Sequence, residues 1–238
     1  MEAIKTIGDL TAGINLNRPV SNPSTSNPGT PQGPSHWTSP EKDRFWKNEL
    51  VKSMKEIEPG FVVDDRNRNI LAAMFDWVHA RSSLLDPSKG LLLWGPLGVG
   101  KSVLIRGLQR YEGKLNRFGF GSGNDKLGFR FVSAVELSLL YAEKGLEGIS
   151  RYTDREWMAS LAIDEVGREP VDAKHFGTGI NVVQTILQLR YETRREFITH
   201  VTTNLNPDEK FAGMYGDYIA DRVKEMFNVI RITGDSRR

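Results

Sequence analysis

Gly95, Pro96, Leu97, Gly98, Val99, Gly100, Lys101 and Ser102 spell G-x-x-x-x-G-K-S between the apolar run Leu91-Leu92-Leu93-Trp94 and a segment that resumes at once with Val103 and Leu104. That set of residues does phosphate chemistry. The glycines let successive backbone N–H groups curl around phosphate oxygens. A helix starting at Lys101 adds the positive end of its dipole. Lys101 then reaches the β- and γ-phosphates of a nucleotide, and Ser102 holds Mg²⁺. A second pair follows in LAIDEVG, residues 161–167, where Asp164 and Glu165 close another apolar run. Asp164 is suited to orient the Mg²⁺ shell, and Glu165 to take a proton from an attacking water. A third candidate is Asn204 in HVTTNLN, residues 200–206. An amide there orients water or touches the γ-phosphate; taken alone it is a common residue of post-strand turns.

These groups must be positioned by a scaffold, and the apolar pattern supplies one. Strands are predicted at 91–94, 129–133, 160–164, 197–203 and 228–232. Helices are predicted at 101–111, 134–144, around 181–190, and at 218–225. Nearly continuous apolar strands separated by helices imply an α/β fold with a parallel sheet covered on both faces. Upstream, Ser39-Pro40-Glu41 starts a helix in which Phe45, Leu50, Met54 and Ile57 share a face, stopped by Pro59-Gly60. A further helix with Ile70, Leu71, Met74, Trp77 and Val78 on one stripe follows Asp64-Asp65, read as capping groups. Asp217 is read as a cap too, in the turn Tyr215–Tyr218. The segment 112–126, rich in glycine and charge, reads as a mobile loop.

The organisation expected is a tail with a Pro/Ser/Asn-rich linker over 1–40, a partner-binding helix over 41–59, and the main domain over 60–238. The stretch 21–34, SNPSTSNPGTPQGP, contains nothing that builds a core. Cysteine is absent from the 238 residues, which excludes disulfides and thiolate metal sites. His36, His79 and His175 lack metal-ligand spacing, and His200, inside a strand, is read as packing or surface. No apolar run approaches membrane-spanning length and no signal-type segment is seen, so a cytoplasmic location and no membrane partner are expected. A net charge of +2 permits a nucleic-acid partner without demanding one. Arg151, Arg155, Lys174, Arg190, Arg194 and Arg195 are mostly interleaved with acids, the pattern of a solvated face, so none is assigned to nucleic acid.

Together, GPLGVGKS, LAIDEVG, QLRYETRREFITHVTTNL (188–205) and YGDYIADRVKEMFNVIRITGDSRR (215–238) resemble the AAA+ P-loop ATPases, and within them the bacterial DnaC-like helicase loaders and IstB-like ATPases. The resemblance covers about residues 60–238. It implies a P-loop NTPase three-layer α/β/α sandwich with strand order 5-1-4-3-2, and no C-terminal lid domain. It also implies ATP and Mg²⁺ as ligands, and Arg222 as an arginine finger entering a neighbour's site. Arg238 is implied as the sensor arginine, with Arg237 in that role if the register slips by one. The implied activity is ATP hydrolysis that loads a replicative helicase on single-stranded DNA, with self-association into a ring or spiral. A transposase partner, as for IstB-like proteins, is the first alternative. A non-catalytic module ordered by ATP is the second.

Overall fold

The computed structural model describes residues 39–118, 120 and 127–237. The tail and linker at 1–38 and the last residue, Arg238, lie outside them. Five parallel strands form the central sheet: β1 (Gly90–Trp94), β2 (Arg130–Ser133), β3 (Leu161–Val166), β6 (Thr199–Thr203) and β7 (Phe227–Arg231). They run side by side as β2-β3-β6-β1-β7. Numbered by their chain order within this sheet and read from the β7 edge, that is 5-1-4-3-2. Seven helices are described: α1 (Pro40–Ile57), α2 (Arg68–Val78), α3 (Lys101–Arg117), α4 (Ala134–Lys144), α5 (Leu146–Thr153), α6 (Val182–Glu192) and α7 (Pro207–Met226). A small antiparallel hairpin, β4 (Ala173–His175) with β5 (Thr178–Ile180), stands apart from the sheet. None of the described helices is long and apolar enough to cross a membrane.

Alternation along β1 shows why the sheet needs helices on both sides. Leu91 and Leu93 pack with α1, α2 and α3, while Leu92 packs with α4 to α7. Helix α1 starts as its sequence dictates, with Pro40 in the first turn and the Ser39 side chain accepting from Lys42 N at 3.3 Å. Its buried face differs from the one expected. Trp46, not Phe45, is the anchor: Trp46, Leu50 and Met54 recur every four residues and are buried, whereas Phe45 is half exposed. The Trp46 ring meets Tyr111, Phe118 and Phe120 edge-on. A Cβ at Gly107 would stand 2.1 Å from Met54 Sδ, so this glycine on α3 admits α1 at close range. The apolar face of residues 41–59 is therefore part of the same core as the main domain.

Other expectations are corrected. Helix α3 runs on to Arg117, so the loop predicted from residue 112 is helical at its start and Glu112 is buried within it. Helix α7 starts at Pro207 under an Asn206 cap, and the expected turn at 215–218 is a single kink at Gly216 (φ 79°). Asp64 caps the turn before α2, accepting from Arg66 N (3.0 Å) and Asn67 N (3.2 Å), not the helix itself. Asp65 is exposed and lies 3.8 Å from Arg68. Helix α5, of 8 residues, and the β4–β5 hairpin, with strands of 3 residues each, are too short for their sequence period to mark them.

His200 is in the core, its Nδ1 accepting from Leu91 N at 3.1 Å and its ring against Trp77 and Phe129. Burial lowers its pKa to about 3, and that of His79 to about 4. Burial also raises Glu112 to about 7. The signs oppose. On acidification below 6.5 the unfolded chain takes up two imidazole protons that the folded chain refuses, which destabilises it. From pH 7 down to 4.5 the folded chain instead takes up a carboxyl proton at Glu112, which stabilises it. The net excess is about one proton on the unfolded side, so stability should fall as pH drops from 6.5 to 5, by on the order of 1 kcal/mol per pH unit. Urea unfolding of Glu112→Gln should show that slope roughly doubled; an unchanged slope would refute the assignment.

Candidate nucleotide site

The phosphate loop joins β1 to α3 at the sheet edge where β3 and β6 also end. Gly95 to Gly100 form the loop, with Gly98 (φ 78°) and Gly100 (φ 97°) in left-handed backbone that side chains avoid. A Cβ at Gly100 would meet nothing within 4 Å, so the space over the α3 N-terminus is open. At Gly98 the need is different: a Cβ there would come 2.2 Å from Ser236 Oγ, because the chain's end folds back over the loop. Arg237 N donates to Gly98 O at 3.0 Å.

Lys101 is buried, and its ammonium donates to the carbonyls of Gly95 (2.7 Å) and Pro96 (2.6 Å). Burial holds its pKa below the usual lysine value, an effect that Asp164 and Glu165 partly offset. A desolvated cation at an open glycine loop, with no carboxylate in direct contact among the described residues, is a receptor for an anion. Beside it, Ser102 Oγ donates to Asp164 Oδ1 at 2.8 Å. One hydroxyl and one carboxylate fit Mg²⁺, which keeps most of its waters and binds through one or two carboxylates and substrate phosphates. A cage of protein ligands is not needed, and among the described residues no cluster of three or more His, Cys, Asp or Glu offers one.

The acidic pair does not simply end its strand. Ladder pairing passes from Ile163–Val201 to Val166–Thr203, so Asp164 and Glu165 together oppose the single residue Thr202. That is a β-bulge, and Glu165 takes it up with φ 56°, a backbone state that strains a non-glycine residue. Thr202 holds the bulge, its hydroxyl donating to Asp164 Oδ1 and accepting from Glu165 N at 2.9 Å. Sequence reading missed Thr202; a buried hydroxyl residue just before the strand end was the available signal. The Glu165 carboxylate meets Arg168 Nη1 at 2.8 Å. The loop beyond is pinned by buried Glu169, which accepts from Gly167 N at 2.7 Å and from the Tyr215 hydroxyl at 2.5 Å.

Asn204 is exposed directly after β6, the strand between those bearing the phosphate loop and the acidic pair. Arg222 sits away from this group on the second half of α7. Its guanidinium lies over the rings of Tyr218 (3.5 Å) and Tyr191 (4.9 Å) and is 3.3 Å from Asp221. Arg237 is paired with Asp64 at 2.9 Å, and Arg238 lies outside the described residues.

No protein-family model and no curated protein matches the sequence. Solved structures do match the fold. A DnaI structure aligns over 81% of this chain and 93% of its own, with a TM-score of 0.54 at 22% identity. A DnaC helicase loader aligns over 80% and 99%, with a TM-score of 0.51 at 18% identity. The fold is that of the helicase loaders. A Streptococcus pyogenes serotype M3 protein, described as a candidate primosome component, shares it over 81% and 97%, with a TM-score of 0.53 at 20% identity. At such identities the likeness concerns the fold alone.

Proposed function

We propose that the chain is a Mg²⁺-dependent ATPase of the helicase-loader type, which couples its nucleotide state to placing a replicative helicase on single-stranded DNA. The observation carrying this reading is the Ser102–Asp164 hydrogen bond beside the buried Lys101, which joins two distant sequence motifs into one site for a metal-bound triphosphate. Backbone amides from Gly98 to Ser102 receive the phosphate oxygens, and Lys101 exchanges its loop carbonyls for the β- and γ-phosphates. Ser102 and Asp164 would hold Mg²⁺, which would supply positive charge beside those oxygens. Glu165 takes the proton of the attacking water, and Asn204 orients that water. Arg222 serves the site of a neighbouring protomer, which makes turnover depend on assembly into a ring or spiral. The likeness to helicase-loader structures favours a helicase over a transposase as the partner, and residues 1–59 are the segment that docks it.

Calorimetry tests the foundation. Mg·ATP should release heat of binding with the parent chain, and Lys101→Ala should weaken that binding by about 100-fold or more through loss of a charge-assisted contact. Equal binding by both proteins refutes the site. Capture with the full chain from host lysate should recover a hexameric helicase; recovery of a transposase instead refutes the loader assignment while leaving the ATPase intact.

A further inference from the structure

Arg106, Arg110, Lys114 and Arg117 recur at steps of four, four and three residues, one outer stripe of α3. The stripe lines a cavity of about 720 Å³, closed on one side by the end of α1 and on the other by Phe131 of β2 and Glu136 of α4. Lys114 is committed to Glu49 (3.1 Å) and Glu56 (2.8 Å). Arg106, Arg110 and Arg117 are exposed, and among the described residues no carboxylate makes an ion pair with any of them, although Glu56 is near enough to Arg110 to feel its charge. Arg106 lies over the Phe131 ring at 4.3 Å.

The other arginine-rich segments offer far less. Arg190 is wholly buried, donating to Thr199 Oγ1, Tyr152 O and Ala159 O. Arg155 pairs with Glu196 at 2.6 Å and Arg194 with Glu225 at 3.2 Å. Arg151 and Arg195 are exposed and also make no ion pair among the described residues, but each stands singly, whereas α3 gathers three such arginines on one face. Guanidinium groups interleaved with aromatic faces suit a single nucleic-acid strand, with cations on phosphates and rings against unstacked bases. The Phe131 face beside Arg106 favours a single strand over a duplex, because only unstacked bases can reach a ring.

We propose that the cleft along α3 binds single-stranded nucleic acid, with Arg106, Arg110 and Arg117 on its phosphates and Phe131 against its bases. Resting on the ATPase reading for this part only, the site is coupled to nucleotide through one rigid element. Helix α3 starts at Lys101 and Ser102, so triphosphate and strand load the same helix. Linkage then requires that any factor by which one ligand changes the other's affinity be matched in return.

The test is anisotropy of a labelled oligo(dT) of about 20 nucleotides, long enough to span the stripe, titrated with the full chain over a range of salt, with and without Mg²⁺ and a non-hydrolysable ATP analogue. The triple variant R106A/R110A/R117A should bind at least tenfold more weakly. Its salt slope should be shallower by about 2, near 0.7 per lost phosphate contact. Its circular dichroism and ATP binding should match the parent. An unchanged slope in the variant, or no binding by the parent, overturns the proposal. So does displacement of the oligonucleotide by polyglutamate as effectively as by unlabelled oligo(dT), which would mark a surface for acidic protein. Strand binding without ATP binding by the parent would refute the ATPase reading and leave the cleft standing.

Discussion

Arg222→Ala should bind Mg·ATP as the parent does yet turn it over roughly 10³–10⁵-fold more slowly under conditions of assembly, the range expected when an arginine finger is withdrawn. Its rate should also lose its dependence on protein concentration. The geometry of Arg222 suits a group held in reserve. Two aromatic faces and a marginal 3.3 Å approach to Asp221 support the guanidinium, while its Nε is buried without a hydrogen-bond partner among the described residues. The ion pair with exposed Asp221 and the two ring contacts are each worth about 1 kcal/mol or less, so swinging outward costs a few kcal/mol at most. Complementation gives the decisive readout. Arg222→Ala retains a sound phosphate loop, and Lys101→Ala retains a sound finger. A 1:1 mixture of the two inactive proteins should recover roughly a quarter of parental turnover, the chance that a site draws its loop from one and its finger from the other. No recovery from the mixture means that Arg222 acts within its own chain or not at all.

Glu165→Gln should reduce turnover by about 10²–10⁴-fold with nucleotide binding preserved, because the amide keeps the shape and loses the basic oxygen. Single-turnover measurements at saturating Mg·ATP separate the chemical step from release. The bulge makes this a sharp test. Glu165 occupies strained backbone that costs about 1–3 kcal/mol, and the fold retains that conformation through the Thr202 hydroxyl and the resumed Val166–Thr203 pairing. If the glutamine variant hydrolyses ATP at the parental rate, the carboxylate is structural and the base lies elsewhere.

What the sequence determined by itself is the local chemistry and the periodic scaffold. Gly95 to Ser102 dictate a phosphate loop because their glycines, lysine and serine are adjacent, and the five apolar runs dictate a sheet because burial on both faces demands them. The helix starts at Ser39-Pro40, Ser133 and Asn181 are equally local, each set by a side chain accepting an N–H two or three residues on. Tertiary structure decided everything that depends on a partner distant in the chain. Thr202 beneath the acidic pair, the fold-back of Ser236 and Arg237 onto Gly98, and Trp46 displacing Phe45 in the core all arise between segments that periodicity treats separately. Charge shows the division most plainly. Arg190 and Arg110 look alike in the sequence, yet one is enclosed by carbonyls and the other is open to water, because burial is fixed by the packing of whole elements and not by residue type.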